Sequence, residues 1–246
     1  MNDRRPLGEA RGIADWVRAS LSPYCERFQI AGSIRRGAET VKDVEAVAVP
    51  VYAGGGQRTL EGDGARANQL DLGLAAEIRD GRLVKDEQVK RWGEKYKRLI
   101  HVKSGMVLDL FIVTPPASWG VVFTIRTGPA EFSEALVTLA RAREMRTHEG
   151  ALYRFFDVET DHEAWTKGVK IPVASGAKVT APATLVPTPE EADFFRALGL
   201  PYFPPEQRGN ADSMAEIRRL MQEAEGEMAP REPRGEGMGA KRGGPP

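Results

Sequence analysis

The sequence predicts an α/β (α+β) fold: a mixed sheet that carries three carboxylates, helices that back it, and a smaller C-terminal subdomain. Two apolar, strand-like runs, at 43–51 and 106–113, each contain acidic residues. Apolar residues recur at helical spacing over 8–27, 67–80 and 131–143, which predicts amphipathic helices. With 246 residues, of which 41% are hydrophobic, the chain is long enough for one large domain or two small ones.

Composition excludes several classes of protein. Lys and Arg number 35, and Asp and Glu also number 35, so the chain is not a globally basic nucleic-acid binder, although a locally basic groove is compatible with this balance. The single cysteine, Cys25, excludes a disulfide framework and a cysteine-rich zinc site. No apolar run approaches the roughly 20 residues that span a bilayer, and residues 1–6 lack the apolar stretch of a secretory signal. We therefore expect a soluble, cytoplasmic monomer without membrane contact.

Turn residues and periodicity give the order of the elements in the first half of the chain. Pro23 should end or kink the first helix, and Ser104 with Gly105 should form a hairpin turn between two strands. The predicted elements are a helix over 8–27, a strand over 27–31, a turn over 32–37, a strand over 43–51, a mobile loop over 52–66, a helix over 67–80, and strands over 95–103 and 106–113.

The second half of the chain is predicted to be mainly helical, with one extended excursion. Thr188 and Pro189 suit the cap and the first position of a helix. The last residues are mostly Gly, Pro, Glu, Arg and Met, which predicts disorder. The predicted elements are a helix over 131–143, a hairpin or extended segment over 158–185, helices over 188–199 and 211–225, and a tail from 226.

The acidic residues of the two strand-like runs are candidates for a metal site. Asp43 and Glu45 are two apart, so their side chains share one face of the strand, where they repel each other and lose solvation. Asp109 lies inside an apolar run, where an unpaired charge is costly. If the two strands are neighbours, three carboxylates converge, and oxygen ligands suit Mg²⁺ or Mn²⁺. The alternatives are that Asp43 lies in solvent at a strand end and that Asp109 pairs with a structural arginine.

The turn over 32–37 is a candidate anion-binding site. Gly32 lets the backbone approach an anion closely, and the Ser33 hydroxyl and the Arg36 guanidinium add donors. The alternative is an ordinary glycine turn with solvated arginines. The short separation from Asp43 favours the first interpretation, because a triphosphate with its Mg²⁺ needs donors on one side and carboxylates on the other.

Residues 85–103 form a basic strip with seven Lys or Arg against three Asp or Glu. Trp92 and Tyr96 lie between the basic residues, and a strip of this kind can hold phosphates and stack bases. The alternative is a solvated face whose aromatic side chains pack into the core. The candidate DNA contacts are Lys95, Lys97, Arg98 and Lys103.

Four segments of the chain resemble family X DNA polymerases, of the DNA polymerase beta-like nucleotidyltransferase superfamily. GSIRRGAETVKDVEAV is similar to the signature of these enzymes, and VLDLFIVTPPASWG to the strand with the third catalytic carboxylate. RTGPAEF is similar to the Thr-Gly turn beside the incoming nucleotide, and TPEEADFFRALGLPYFPPEQR to the C-terminal segment of bacterial members. The segments lie in the family's order between residues 30 and 208, and they resemble a small phage or bacterial type that lacks the lyase domain.

The resemblance implies a nucleotidyltransferase palm with a mixed, twisted sheet and a thumb-like C-terminal subdomain. Only 31 residues precede Gly32, so we expect neither an amino-terminal lyase domain nor full fingers. The expected organisation is an N-terminal helix over 1–29, a palm over 30–118 with a loop insertion at 52–66, a thumb-like subdomain over 119–225 and a disordered tail over 226–246.

The resemblance also implies roles for individual residues. Asp43, Glu45 and Asp109 would be the catalytic residues and would hold two Mg²⁺ or Mn²⁺ ions. The implied nucleotide-binding residues are Gly32, Ser33, Arg36, Lys42, Arg126, Thr127 and Gly128.

The chain departs from the family pattern at three places in these segments. Glu45 stands where the family usually has Asp, and Lys42 stands where it usually has Gly. Ile125 and Arg126 replace the aromatic pair that often precedes the Thr-Gly turn.

The implied activity is that of a DNA-directed DNA polymerase. It would add dNMP from a dNTP, or accept an rNTP, at the 3′-hydroxyl of a primer on a DNA template, in gap filling and DNA repair. Two alternatives stay open: a template-independent nucleotidyltransferase that acts on RNA, a small molecule or a protein, and a catalytically inactive nucleic-acid-binding module.

Overall fold

The computed structural model describes residues 4–53, 67–87, 89, 92–154, 158–160, 163–166, 169–172, 177–179 and 184–228. Buried apolar residues of these segments gather into one cluster in the N-terminal half, one in the C-terminal half and a smaller one between them. No helix within these segments is long and apolar enough to cross a bilayer. Two packed units therefore meet along a junction, and the sheet of the first unit faces the second.

Helices and strands are mixed along the described segments of the N-terminal unit. In chain order the helices are α1 (Leu7–Leu21), α2 (Gly32–Arg35), α3 (Gln69–Arg79), α4 (Trp119–Thr127), α5 (Ala130–Ala142), α6 (Glu191–Ala197) and α7 (Ala211–Met228). The strands are β1 (Arg5–Pro6), β2 (Cys25–Ile30), β3 (Thr40–Val41), β4 (Asp43–Pro50), β5 (Tyr52–Ala53), β6 (Ala67–Asn68), β7 (Leu83–Lys85), β8 (Tyr96–His101), β9 (Met106–Ile112), β10 (Met145–His148), β11 (Ala151–Arg154), β12 (Val158–Thr160), β13 (Glu163–Thr166), β14 (Val169–Pro172), β15 (Ala177–Val179) and β16 (Thr184–Val186).

The N-terminal unit is built on a five-stranded mixed sheet with the strand order β2-β4-β9-β8-β7. The central strands β4 and β9 are parallel, and the other neighbouring strands are antiparallel. Leu108 and Leu110 of β9 point into the buried cluster that α1 and α3 share with the sheet. Because side chains alternate along a strand, Asp109 between them projects from the opposite face, toward the C-terminal unit.

The C-terminal unit packs α5 against α7 and adds the three-stranded sheet β10-β11-β16. Phe132, Phe195 and Phe203 form a cluster of tilted and edge-on rings in its core, with centroids 5.7 to 6.3 Å apart. The hairpin β10–β11 closes through Glu149 and Gly150, whose φ angles of 49° and 82° are those of a type I′ turn. This turn lies at the edge of the junction between the units.

The predicted fold class, a mixed sheet with helices and a smaller C-terminal unit, is confirmed. The amphipathic patterns correspond to α1, α3, α5 and α7, and Pro23 lies in a 3₁₀ turn directly after α1. The strand-like runs with acidic residues correspond to β4 and β9. These elements carry a clear period and buried apolar residues, which is why the sequence predicts them.

Three predicted helix boundaries and one missing helix are corrected by the structure. The helix predicted over 8–27 ends at Leu21, and β2 already begins at Cys25. Helix α6 begins at Glu191 and not near Thr188, because Glu190 and Asp193 form a capping box. Helix α7 continues to Met228, past the predicted start of the tail at 226. Helix α4 was not predicted, since it is buried on several sides and lacks an amphipathic stripe.

Two predicted loop segments are described only in part. Tyr52–Ala53 of the predicted loop forms β5 and pairs with β6, while 54–66 lies outside the described residues. The excursion predicted over 158–185 contains the antiparallel pairs β12–β15 and β13–β14, and its other residues before 184 lie outside the description. The predicted tail from 229 onward is also outside it.

Candidate active site

The parallel register of β4 and β9 brings the acidic residues of the two strands together. Glu45 lies directly beside Asp109, and Asp43 lies beside Val107, two residues away on the same strand. Residues two apart in a strand share a face, so the three carboxylates project from the side of the sheet that faces the C-terminal unit. Lys42, which is exposed, immediately precedes them. The two acidic strands are therefore adjacent in the sheet, as the sequence analysis considered.

Burial, together with the crowding of like charges, raises the pKa of two of these carboxyls. Burial, followed by repulsion from Asp43 and Asp109, raises the pKa of Glu45 to about 7. The pKa of Asp43 is also raised, first by burial and then by the charge of Asp109. Among the described residues, the Glu45 carboxylate has no hydrogen-bond or ion-pair partner. A cation placed between these groups would relieve the repulsion.

Asp109 differs from the other two because the neighbouring strand supplies its counter-charge. Arg98 lies opposite Asp109 in the antiparallel pair β8–β9 and donates from Nε and Nη2 to the two carboxylate oxygens, at 2.7 and 2.8 Å. The Tyr96 hydroxyl donates to Oδ1 as well. Asp109 is only 6% exposed, so these charge-assisted hydrogen bonds are largely shielded from water. The structural arginine that the sequence left open as an alternative is therefore present.

The type of donor in this group suits Mg²⁺ or Mn²⁺, because it consists of carboxylate oxygens without sulfur or imidazole. In the arrangement of the described residues, however, no three His, Cys, Asp or Glu side chains form a group that could hold a metal ion. One cause is that Arg98 engages both oxygens of Asp109. The carboxylates and the positions of their strands suit a divalent ion. For Asp43, Glu45 and Asp109 to bind one ion together, their side chains must adopt other rotamers.

Helix α2 begins at a position where only glycine fits. Gly32 has a φ of +61°, and a Cβ built on it would lie 1.9 Å from Oε2 of Glu45. The N–H of Ala31 donates to the backbone oxygen of Glu45 at 2.8 Å, which ties the turn to β4. This close approach places the start of α2, with the half-buried Ser33, against the acidic face of the sheet.

The second half of the predicted anion-binding turn contacts the end of α4. Arg36 donates from Nη1 to the backbone oxygen of Thr127 at 2.5 Å, and Arg35 donates to the Thr127 hydroxyl at 2.8 Å. Burial lowers the pKa of Arg36, while the charge of Glu45 opposes that shift. Gly128, which ends α4, packs so closely on α5 that a Cβ would overlap it. Arg36, Thr127 and Gly128 therefore lie together beside the acidic face.

A cleft of about 640 Å³ separates the acidic face from the C-terminal unit. Glu45, Asp109 and Phe111 line its sheet side. The guanidinium of Arg126, from α4, stacks 3.9 Å from the centre of the Phe111 ring, and Tyr96 packs on the same ring with centroids 5.0 Å apart. Within the described part of the chain the Arg126 guanidinium donates no hydrogen bond, so its donors are available to a ligand in the cleft.

A buried ionic cluster joins the two units, and sequence reasoning missed it. Glu191 is 6% exposed and accepts two hydrogen bonds from Arg35, at 2.8 and 2.6 Å, and one from Arg208 at 2.7 Å. Burial acts to raise the pKa of Glu191, but the hydrogen bonds from the two arginines outweigh it and lower that pKa. The only sequence signal was an acidic residue near a helix start, which is usual at an exposed helix end.

The four candidate DNA contacts do not share one surface. Lys97 is 3% exposed, and its ammonium contacts a backbone carbonyl at 3.0 Å and an aspartate of α3 at 3.1 Å. Arg98 projects from the opposite face of β8, because consecutive residues in a strand alternate. Lys95 and Lys103 are exposed, and Lys95 pairs with Glu149 at 2.7 Å. Of the two exposed candidates, Lys95 lines the cleft with Glu45 and Asp109, whereas Lys103 lines a different cleft.

Comparison with known proteins agrees with this architecture. Residues 123–209 match the family model described as DNA polymerase beta thumb. The fold is therefore an α/β, DNA polymerase beta-like fold with a thumb, in which α5, α6 and the β10–β11 hairpin lie inside the matched region.

A curated relative extends the similarity to most of the chain. DNA polymerase lambda of Rattus norvegicus is 27% identical over 216 residues, which cover 84% of this chain and 33% of the relative. The chain thus spans about a third of the length of that curated relative. Together with the thumb match, this similarity supports a family X DNA polymerase-like protein, in agreement with the four sequence segments.

Proposed function

We propose that the protein is a DNA-directed DNA polymerase that fills short gaps during DNA repair. It transfers dNMP from a dNTP to the 3′-hydroxyl of a primer and releases pyrophosphate. The observation that carries the proposal is the register of β4 and β9, which sets Glu45 beside Asp109 on the face that meets the Gly32 turn. Nucleotidyl transfer requires acidic oxygens and anion-binding donors on two sides of one cleft.

In this proposal, Asp43, Glu45 and Asp109 hold two Mg²⁺ ions. When bound, the ions supply Lewis-acid stabilisation of the charge at the reacting phosphate and make the primer hydroxyl more acidic. The three carboxylates orient this charge because they project from adjacent strands of one rigid sheet. Burial is the largest cause of the raised pKa of Glu45, and the repulsion from Asp43 and Asp109 that adds to it would be relieved by a cation between them.

The nucleotide would be held by residues on the other side of the cleft. The backbone of Gly32 with Ser33 and Arg36 would contact the β- and γ-phosphates, and Lys42 would add positive charge nearby. Thr127 and Gly128 would lie against the sugar and base. Arg126 has donors that no described residue occupies, and its position over Phe111 lets it reach a nucleotide in the cleft.

Primer extension on a gapped DNA duplex tests the proposal. Each dNTP and each rNTP is supplied separately with Mg²⁺ or Mn²⁺, on the gapped duplex, on a blunt primer and on tRNA. Additions dictated by the template base support the polymerase. Addition that ignores the template, or that occurs only on RNA, identifies a template-independent nucleotidyltransferase. DNA binding without pyrophosphate release, unchanged in Asp109→Ala, identifies an inactive nucleic-acid-binding module.

A further inference from the structure

Lys95 and Glu149 form an exposed ion pair across the cleft. Lys95 directly precedes β8 in the sheet unit, and Glu149 lies in the β10–β11 turn of the thumb, with Nζ and Oε2 2.7 Å apart. Both residues line the cleft that contains Glu45 and Asp109. The side chains are 47% and 46% exposed, so the pair is open to solvent and to a ligand that enters the cleft.

Glu149 occupies a backbone position that does not favour glutamate. Its φ is 49°, at the first central position of a type I′ turn, where Asn, Asp and Gly are preferred. The next residue, Gly150, packs against Ala117 and Val122, and its backbone oxygen accepts from the N–H of Ser118 at 2.8 Å. The turn is therefore fixed to the start of α4. A long acidic side chain at a strained, anchored position indicates a function for that side chain.

The partner of this glutamate is a lysine that lines the same cleft. Among the described residues of the basic strip, Lys85, Lys95 and Lys103 are exposed, and the neighbours of Lys95 on the cleft wall are Tyr96 and Arg98. An ammonium binds a carboxylate oxygen and a phosphate oxygen in the same way. An exposed ion pair is weak and is screened by salt, so a polyanion can replace the carboxylate.

We propose that Lys95 binds a backbone phosphate of the primer–template duplex and that Glu149 holds this lysine in the free protein. We call this ion pair the latch, because it connects the two sides of the cleft in the free protein. DNA breaks it when a backbone phosphate replaces the Glu149 carboxylate as the partner of Lys95. The inference rests on the proposed function, since it names a DNA contact and its regulation at that site. It assigns Glu149 a role that reduces affinity and thereby favours release of the product.

Binding of a fluorescein-labelled, gapped DNA duplex to the full chain, measured by anisotropy in EDTA over a series of NaCl concentrations, tests the latch. The variants are Lys95→Gln, Glu149→Gln and the double variant. Glu144→Gln is the matched control, because Glu144 is also an exposed thumb glutamate at positive φ, 56°, and does not line the cleft. It corrects for the loss of one negative charge from the thumb.

Glu149→Gln should increase DNA affinity about two- to fivefold more than the control does, the range of one exposed ion pair. Lys95→Gln should weaken binding and reduce the slope of log K against log salt by about one. In the Lys95→Gln background, Glu149→Gln should have no more effect than Glu144→Gln. The latch is overturned if Glu149→Gln changes the affinity no more than Glu144→Gln does. It is also overturned if the effect of Glu149→Gln persists in the Lys95→Gln background, or if Lys95→Gln leaves the salt slope unchanged.

Two further measurements separate the latch from other causes. Thermal melting checks that each variant is folded, and Glu149→Asn, which suits the positive φ, replaces Glu149→Gln if the latter unfolds. Primer extension on the same duplex tests the proposed function independently. Coupling between the two residues without incorporation overturns the polymerase and supports the latch, whereas incorporation without coupling overturns the latch alone. If the wild-type protein binds no DNA, both proposals fail.

Discussion

Arg98 and Asp109 face each other across β8 and β9, and the guanidinium donates to both oxygens of the carboxylate. Asp109 is thus at once a candidate metal ligand and one half of a largely buried ion pair. Among the described residues, Asp43 on the next strand forms no such ion pair, and burial, followed by the charge of Asp109, raises its pKa. Substitution of Asp43 and substitution of Asp109 should therefore reduce activity to a similar extent but change the free energy of unfolding differently.

Asp43→Ala and Asp109→Ala are both expected to reduce primer extension more than about a hundredfold, as the loss of an essential electrostatic group does. Urea unfolding should show that Asp43→Ala is as stable as the wild type or more stable, because a repelled charge is removed. Asp109→Ala should lose about 2 to 4 kcal/mol, because Arg98 is left without its counter-charge. Near-wild-type turnover in either variant, or equal stability losses, would contradict this assignment.

The pKa of Glu45, raised to about 7 by burial and neighbouring acids, predicts how stability depends on pH. Between the ordinary pKa and 7 the folded protein retains a proton that the unfolded chain has lost, so the free energy of unfolding falls as pH rises through this window. The loss amounts to at most about 3 kcal/mol and ends above the folded pKa. The shift of Asp43 acts in the same direction.

Urea unfolding between pH 5 and 8 measures this loss. The decrease should be largely absent in Glu45→Gln, which cannot ionise, and Mg²⁺ or Mn²⁺ should stabilise the wild type more at pH 8 than at pH 5. A wild-type stability that rises over the interval would contradict the predicted repulsion.

Gly32 and Gly37 offer a matched test of the close approach between α2 and β4. Both have positive φ, 61° and 74°, but a Cβ on Gly32 would overlap Glu45 while a Cβ on Gly37 would contact nothing within 4 Å. Gly37→Ala should cost about 1 kcal/mol of backbone strain and leave activity nearly unchanged. Gly32→Ala should displace Glu45 and reduce primer extension by at least about tenfold, and equal activities of the two variants would show that the contact is unimportant.

The cluster around Glu191 predicts unequal effects for two adjacent glutamates. Glu191→Gln leaves Arg208, which is 4% exposed, without a full counter-charge and should destabilise the protein by about 3 to 5 kcal/mol. Glu190→Gln breaks only the partly exposed pair with Arg27 and should cost at most about 1 kcal/mol. Chemical denaturation measures the free energy of unfolding of both variants. Similar losses of stability would show that burial does not make the Glu191 ion pairs stronger than the Glu190 pair.

The sequence was sufficient to predict the acidic strands but not the partner of Asp109. Asp43, Glu45 and Asp109 stand in apolar, strand-like runs, so the two strands and the convergence of their carboxylates could be predicted from the sequence. A two-residue hairpin turn at Ser104 and Gly105 would pair Asp109 with Ile100. The observed turn is longer, since His101 pairs with Met106, and this shift of two residues sets Arg98 opposite Asp109. Register depends on turn geometry, which periodicity does not report.

Contacts between the two units were beyond sequence reasoning for a related reason. Glu191 meets Arg35, which lies in α2 of the N-terminal unit, only after both units have packed. Its second partner, Arg208, lies beyond α6 in the C-terminal unit. The same holds for Lys95 and Glu149 across the cleft. Charged residues of these types are usually exposed, so nothing in the local pattern distinguishes a buried or bridging one.

The parallel pairing of β4 and β9 has a consequence for how the protein is made. Residues 51–105 separate the two strands, so the third acid leaves the ribosome well after the first two. Until β9 docks between β4 and β8, Asp43 and Glu45 lack the neighbour that fixes their geometry. Pairing over such a separation is intrinsically slow. Under the proposed function, a nascent or partly refolded chain therefore cannot transfer nucleotides before the central strands have paired.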